Sequence, residues 1–239
     1  MSTHTVSTST PRPDDRAPAS ARRSLVRTGG VASHVVAGTY VLGFGAMAAY
    51  LAPAGFVGPV SDPEGSLAFL LAHPTAMCAW YLVLYLVGGA AMALVSLGVG
   101  ERLSAASPAL GRVSAAAGLL WSGLLLASGS VAVVGQHAVA TLAVEQPELA
   151  LGTWVSTSVV QDALGGGIEV VGALWAAVVG YAALRTRTLP AALGGLALGL
   201  ATVGLLTVLP FATETATSVF GLGFLVWFTW AGVVLSRRR

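Results

Sequence analysis

The stretch GGGIEVVGALWAAVVGYAALRTRTLPAALGGLALGLATVGLLTVL (residues 165–209) contains two apolar runs separated by a short basic segment around Arg185 and Arg187. Each run has close to the ~20 apolar residues that a helix needs to cross the hydrocarbon core of a bilayer. Because lipid offers no hydrogen-bond partners to the backbone, two such runs are typical of membrane helices joined by a turn. The stretch therefore predicts a helical membrane protein.

The rest of the chain continues this pattern, which predicts an all-α, polytopic membrane protein. Of its 239 residues, 55% are hydrophobic and only 9% are charged, and the mean hydropathy is +0.80. Residues 113–144 and 154–184 contain no proline, so the third and fourth helices are expected to extend beyond the membrane as a hairpin turned near residues 145–148. The six predicted transmembrane helices cover residues 31–51, 75–99, 113–134, 165–184, 191–209 and 217–235.

Arginine placement predicts the orientation of the chain. With six spans, all of the basic residues fall on one side, which the positive-inside rule makes cytoplasmic. Both termini are therefore expected in the cytoplasm, and the protein is expected in a bacterial inner membrane as a multi-pass cell-membrane protein. The 12 basic residues are Arg12, Arg16, Arg22, Arg23, Arg27, Arg102, Arg112, Arg185, Arg187, Arg237, Arg238 and Arg239.

Two domains of unequal size follow from this arrangement. Residues 1–27 are rich in Ser, Thr, Pro and Arg and are expected to form a disordered cytoplasmic tail, while residues 28–239 form the six-helix transmembrane domain. A net charge of only +2 argues against nucleic acid as a partner. The expected partners are the lipid bilayer and either another membrane protein or a second copy of the chain. One cysteine, Cys78, excludes an internal disulfide and a cysteine-based metal site.

Small residues predict which helix faces pack together, because helices in lipid approach closely only where side chains are small. Gly172, Ala176 and Gly180 form such a stripe on span four, and Gly195 and Gly199 have GxxxG spacing on span five. The same periodicity on span three gives a face made of Gly123, Ala127, Ser130, Val134 and His137.

Ionisable residues near the side of the membrane opposite the arginines define a predicted outer layer. Asp162 and Glu169 extend the small-residue stripe of span four, and counting residues from the two arginine clusters puts His137 at the depth of Asp162. Glu214 and His73 are expected in the same layer, with Gln136 and Gln161 at its border. The layer is interpreted either as a metal or proton site or as a structural girdle of helix ends. No HExxH-type motif is present, and neither a cofactor nor catalytic residues are predicted.

The last third of the chain resembles a bacterial family of six-span membrane proteins known only as a domain of unknown function. The resemblance covers residues 170–239. It rests on a span ending at Leu184 and Arg185, a Leu189-Pro190 start to the next span, and a Trp-rich final span that ends in Gly232 and arginines. It implies the six-span topology and no particular activity.

Three functions are compatible with these features. An accessory, sensory or scaffold protein without catalytic activity is the first expectation. A small transporter or channel using Glu169 is the second, although the sequence shows neither a repeat nor an evident broken helix. A membrane enzyme with an outer-face metal or acid/base site is the third.

Overall fold

The structure is a computed structural model that describes residues 13–166, 169–209, 211 and 213–237. Within these ranges the chain is almost entirely helical and contains no β-strand, which confirms the all-α fold class. Short π-helical segments at Met47–Leu51, Leu82–Val87 and Asp162–Gly166 adjoin the α-helices. The α-helices are α1 (Pro13–Ala46), α2 (Pro63–Ala72), α3 (Pro74–Tyr81), α4 (Gly88–Ser104), α5 (Pro108–Glu145), α6 (Pro147–Gln161), α7 (Val170–Thr186), α8 (Ala191–Leu206) and α9 (Thr213–Ser236).

The described helices support an integral membrane protein. Helix α8 is apolar but has only 16 residues, or about 24 Å. Helix α1 starts at Pro13, so residues 13–27 of the expected disordered tail are helical, and residues 1–12 lie outside the described ranges. Five stretches are long and apolar enough to cross a membrane: Ser20–Leu51, Pro74–Ser104, Pro108–Glu145, Pro147–Thr186 and Thr215–Ser236.

Prolines mark where several helices begin. Helices α2, α3, α5 and α6 each carry proline in the first helical positions, where the missing N–H would have no intrahelical partner anyway. The Asp62 carboxylate also caps α2 by accepting from the backbone N–H of Gly65 at 3.0 Å. Only Gln146 separates α5 from α6, which confirms the predicted hairpin turn.

The basic connections lie together at one end of the bundle, called here the basic end. Arg22 Nε of α1 is 3.4 Å from Glu101 Oε1 of α4. Arg102 Nε donates to the carbonyl oxygen of Thr188, in the α7–α8 connection, at 3.1 Å. The last turn of α9 packs against α1 at Gly30. The α5–α6 turn lies at the opposite end, called here the hairpin end.

Two apolar cores are stacked along the bundle. The smaller core, towards the hairpin end, joins α2, α3, α5 and α6, and Trp154 closes it by donating from Nε1 to Ser66 Oγ at 2.9 Å. The larger core, towards the basic end, joins α1, α4, α5, α7, α8 and α9. Its centre is a group of mutually packed aromatic rings, Trp121, Trp175, Phe220, Phe224, Trp227 and Phe228.

The predicted small-residue faces have different outcomes. The stripe on α7 is confirmed: Gly172, Ala176 and Gly180 are buried, and Gly172 faces the Trp121 ring. The GxxxG prediction is wrong, because Gly195 and Gly199 are exposed with open space beside them and the neighbouring Gly194 is the buried contact. The face of α5 is also wrong. Its members Gly123, Ala127, Ser130, Val134 and His137 are all exposed.

Gly180→Leu should destabilise the protein far more than Gly195→Leu. A Cβ at Gly180 would lie 2.8 Å from the Gly194 carbonyl oxygen, whereas a Cβ at Gly195 meets nothing within 4 Å. Overpacking of this kind costs about 1–3 kcal/mol. Thermal unfolding in detergent measures the difference, and equal melting temperatures for the two variants would contradict the assigned contact face.

Candidate functional site

The fourth predicted helix, residues 154–184, is interrupted close to its two acidic residues, Asp162 and Glu169. Helix α6 gives way to the π-helical segment at Asp162, and α7 begins only at Val170. Gly165 has φ = 140°, a conformation that glycine adopts with little strain. Glu169, with φ = −95° and ψ = 24°, caps the start of α7. The helix predicted from the absence of proline is therefore broken at Gly165, and glycine is a poor helix former.

A threonine at the end of α8 satisfies the backbone at this break. Thr207 Oγ1 accepts a hydrogen bond from the Glu169 backbone N–H at 3.0 Å and donates to the Gly204 carbonyl oxygen at 2.7 Å. Thr207 is only 1% exposed. Since water is excluded from this position, the bond replaces the helical partner that the N–H of Glu169 lacks.

A buried hydrogen-bond network lies on the other side of the break. The Gln161 amide nitrogen donates to Ser128 Oγ at 3.0 Å, and Ser128 Oγ donates to the Gln161 carbonyl oxygen at 2.9 Å. The Gln161 side chain also hydrogen-bonds the Tyr85 hydroxyl. Ser128 and Gln161 are 0% and 3% exposed, so this network fixes α5, α6 and the π-helical segment Leu82–Val87 relative to one another.

The two acidic residues lie within electrostatic range of tyrosines. Glu169 interacts electrostatically with Tyr40 and Tyr85, and Asp162 does so with Tyr81 and Tyr85. Both acids are partly buried. Among the described residues, Arg22 and Glu101 form an ion pair at the basic end, and neither Asp162 nor Glu169 is in an ion pair. We call the cluster the interruption site; it comprises Tyr85, Ser128, Gln161, Asp162, Glu169 and Thr207.

The interruption site lies at the junction of the two apolar cores. Tyr85 packs against the smaller core, and Tyr40, which interacts with Glu169, packs against the larger one. Glu169 is 16 residues before Arg185, and Tyr85 is 17 residues before Arg102, or roughly 24–26 Å from the basic end at 1.5 Å per residue. This depth falls within a hydrocarbon core of about 30 Å that begins at the basic end.

His137 does not lie at the depth of Asp162, so the predicted common depth is wrong. The helices are in register at Ser128 and Gln161, and His137 lies nine residues further along α5, roughly 13 Å towards the hairpin end. Its ring is exposed, and Nδ1 bonds within its own helix to the Val133 carbonyl oxygen at 2.8 Å. The count to Asp162 assumed a continuous α-helix from Arg185, whereas the chain leaves the α-helix between Asp162 and Val170.

The other predicted residues are also spread apart. His73 lies between α2 and α3, where its Nδ1 is 3.1 Å from the Tyr50 hydroxyl and its ring packs on Phe69. Glu214 is in the first turn of α9, and its side chain is outside the described part of the structure. Gln136 is buried in α5, away from the break. In the part of the chain that the structure describes, no three His, Cys, Asp or Glu side chains form a group suited to a metal ion.

Several members of the interruption site were missed by sequence reasoning. Tyr85 lies in a π-helical segment, and such segments are frequent at functional sites, but no local sequence signal marks this one. Ser128 lies on the buried face of α5, together with Gly118, Ser122 and Gly129. That small and polar spacing was available in the sequence and competed with the face containing His137.

No protein-family model, curated protein or solved structure matches this chain. The resemblance of residues 170–239 to a six-span family therefore stays a prediction.

Ser128→Ala should destabilise the protein, whereas Ser130→Ala should not. The first change removes both hydrogen bonds between α5 and Gln161 at a buried position, and two such bonds contribute about 1–3 kcal/mol. Ser130 is an exposed serine two residues away that bonds only to the Leu126 carbonyl oxygen of its own helix. Thermal unfolding in detergent measures both. An unchanged melting temperature for Ser128→Ala would show that the network contributes nothing to stability.

Proposed function

We propose that the protein is an inner-membrane transporter of six spans that moves protons or small cations through the interruption site. The observation that carries the proposal is the break in the fourth span, with Asp162 before it and Glu169 after it. From the sequence alone, transport ranked below an accessory role because no broken helix was evident. The break before α7 supplies that feature.

The chemistry of the site favours a cation over an anion. Broken membrane helices bring backbone groups and helix ends to the ion sites of many secondary transporters. Acidic residues at membrane depth mark proton and ion pathways, because an unpaired charge there is costly. Asp162 and Glu169 supply carboxylate oxygens, and the neighbouring tyrosines and Ser128 supply hydroxyl oxygens. These are the oxygen donors that protons and hard cations prefer.

The position of α8 supports the sixth crossing. Its start lies at the basic end, where Trp227 Nε1 donates to the Leu193 carbonyl oxygen at 3.2 Å, and its end reaches Glu169 through Thr207. Helix α8 therefore runs antiparallel to α7 from the basic end to the interruption site. Six crossings place both ends of the domain on one side, and the positive-inside rule makes that side cytoplasmic.

Glu169→Gln should abolish ion flux. Purified protein is reconstituted into vesicles that contain a pH-sensitive dye, and a potassium diffusion potential drives proton entry; a parallel set follows radioactive sodium uptake. We expect flux of at least one of these ions above that of protein-free vesicles. Glu169→Gln should reduce it to the protein-free rate, because the amide keeps the shape but binds neither a proton nor a cation.

A matched control is Glu148→Gln, which neutralises an exposed acid in the first turn of α6. This variant should retain the flux of the original protein. Gel filtration of each variant before reconstitution verifies that it remains folded. Two outcomes would contradict the proposal. One is that the original protein gives proton and sodium rates equal to those of protein-free vesicles, and the other is that Glu169→Gln retains full flux.

Reporter fusions test the proposed topology. Fusions after Arg102 and Arg185 should report the cytoplasm, because both connections lie at the basic end, and fusions near Glu64, Glu148 and Glu214 should report the outside. A phosphatase reporter active outside and a fluorescent reporter active inside give opposite signals. Two reversed reporters would remove the six-span arrangement.

An accessory or scaffold role is the second candidate, favoured by the α5–α6 hairpin. Helix α5 has 38 residues, or about 57 Å, and outlasts a hydrocarbon core of about 30 Å. At the hairpin end, Val144 and Leu149 are 83% and 49% exposed, and apolar side chains outside lipid are candidates for partner contact. Copurification of one membrane partner that is lost in Val144→Ser/Leu149→Ser would favour this role.

A further inference from the structure

An open groove of about 1320 Å³ runs along the surface between α1 and α4. Its walls are apolar: Val31 and Val35 of α1 and Leu94 of α4 are 61%, 42% and 41% exposed, and Val87 is 48% exposed. The groove begins at the basic end and continues into the membrane-spanning part of both helices. It is distinct from the interruption site, with which it shares no residue.

Small residues form the bottom of the groove. An added Cβ at Gly29 would be only 2.8 Å from Gly98 Cα, so α1 and α4 are in backbone contact near the basic end. Ala32 and Ala91 are buried further along the groove. Because short side chains lie at the bottom and branched side chains at the edges, the surface is concave along the helix axes.

One end of the groove is strongly positive. Five arginines and a single acidic residue, Glu101, line it. Glu101 is engaged by Arg22, whereas Arg23, Arg27 and Arg237 are exposed on the same end. A basic cluster at the membrane surface attracts anionic headgroups, and basic pockets between membrane helices bind phosphorylated lipids.

We propose that this groove binds an anionic phospholipid, with the phosphate at the arginines and an acyl chain along the valine and leucine walls. The two parts of the surface match the two parts of that molecule in charge and polarity. Leu86, at the deep end of the lining, is 16 residues from Arg102, or about 24 Å. One leaflet of a hydrocarbon core of about 30 Å is roughly 15 Å thick. The groove is therefore long enough for the whole acyl chain.

The test measures lipid binding by the purified full chain in detergent. Phosphatidylglycerol and phosphatidylcholine with identical acyl chains are added separately, and native mass spectrometry counts retained lipid while thermal unfolding reports stabilisation. We expect phosphatidylglycerol to be retained and to raise the melting temperature, and phosphatidylcholine to do neither. Inorganic phosphate and glycerol 3-phosphate form the arm that separates a lipid from a free anion.

Two pairs of variants locate the site. Arg23→Gln/Arg27→Gln should weaken phosphatidylglycerol binding by about thirtyfold, which is the loss of affinity expected when two arginines near an anionic headgroup are neutralised. Arg185→Gln/Arg187→Gln removes the same charge at the basic end outside the groove and should leave binding unchanged. Ala90→Phe, which fills the groove, should abolish retention with all arginines present, whereas the exposed Ala127→Phe on α5 should not.

Each contrary result overturns the proposal. Equal retention of the two lipids would show that charge is not recognised. Equal losses in the two arginine pairs would assign binding to the general charge of the basic end. Stabilisation by inorganic phosphate alone would identify a free anion as the ligand, and unchanged retention in Ala90→Phe would show that no acyl chain occupies the groove. None of these results depends on ion flux through the interruption site.

Discussion

Hydrocarbon gives no partner to a peptide group, and this constraint governs the whole chain. It explains why the described residues are almost entirely helical, with turns and loops confined to short connections. The break before α7, where a helix stops within the apolar region, needs a partner from elsewhere. Thr207 supplies it by accepting from the Glu169 N–H. Helix α8 therefore stabilises a break in its neighbour as well as packing against it.

Packing follows a second rule, in which large rings face glycines. Gly172 lies against Trp121 and Phe220, and Gly204 lies against Phe220. The missing side chains make room for rings that fill the centre of the larger core. Dispersion between closely packed groups replaces the hydrophobic drive that lipid does not provide. The polar groups between the two cores are correspondingly few and concentrated at the interruption site.

The sequence predicted the helical class, the hairpin turn at residues 145–148 and the Gly172 stripe, because each depends on local composition or on spacing within one helix. It did not predict which face of α5 is buried, since two faces carry small residues and only the partner helices select between them. It also misplaced His137 relative to Asp162, because depth was counted from Arg185 along a continuous helix, and the chain leaves the α-helix between Asp162 and Val170. Tyr85 and Thr207 belong to other helices and join the site only through tertiary packing. Register between helices is thus the quantity that one sequence leaves undetermined.

The glycine at the break has a geometric consequence for the hairpin beyond it. Helix α6 is a rod of 15 residues, or about 22 Å, that starts at the α5–α6 turn and ends beside Gly165. A change of one degree in the angle at Gly165 would displace the far end of this rod by about 0.4 Å, by simple leverage over that length. Ten degrees would displace it by about 4 Å, roughly three quarters of the rise of one helical turn. Because the Ser128–Gln161 hydrogen bonds and the turn at Gln146 join α6 to α5, such a displacement of the tip would carry both arms of the hairpin together.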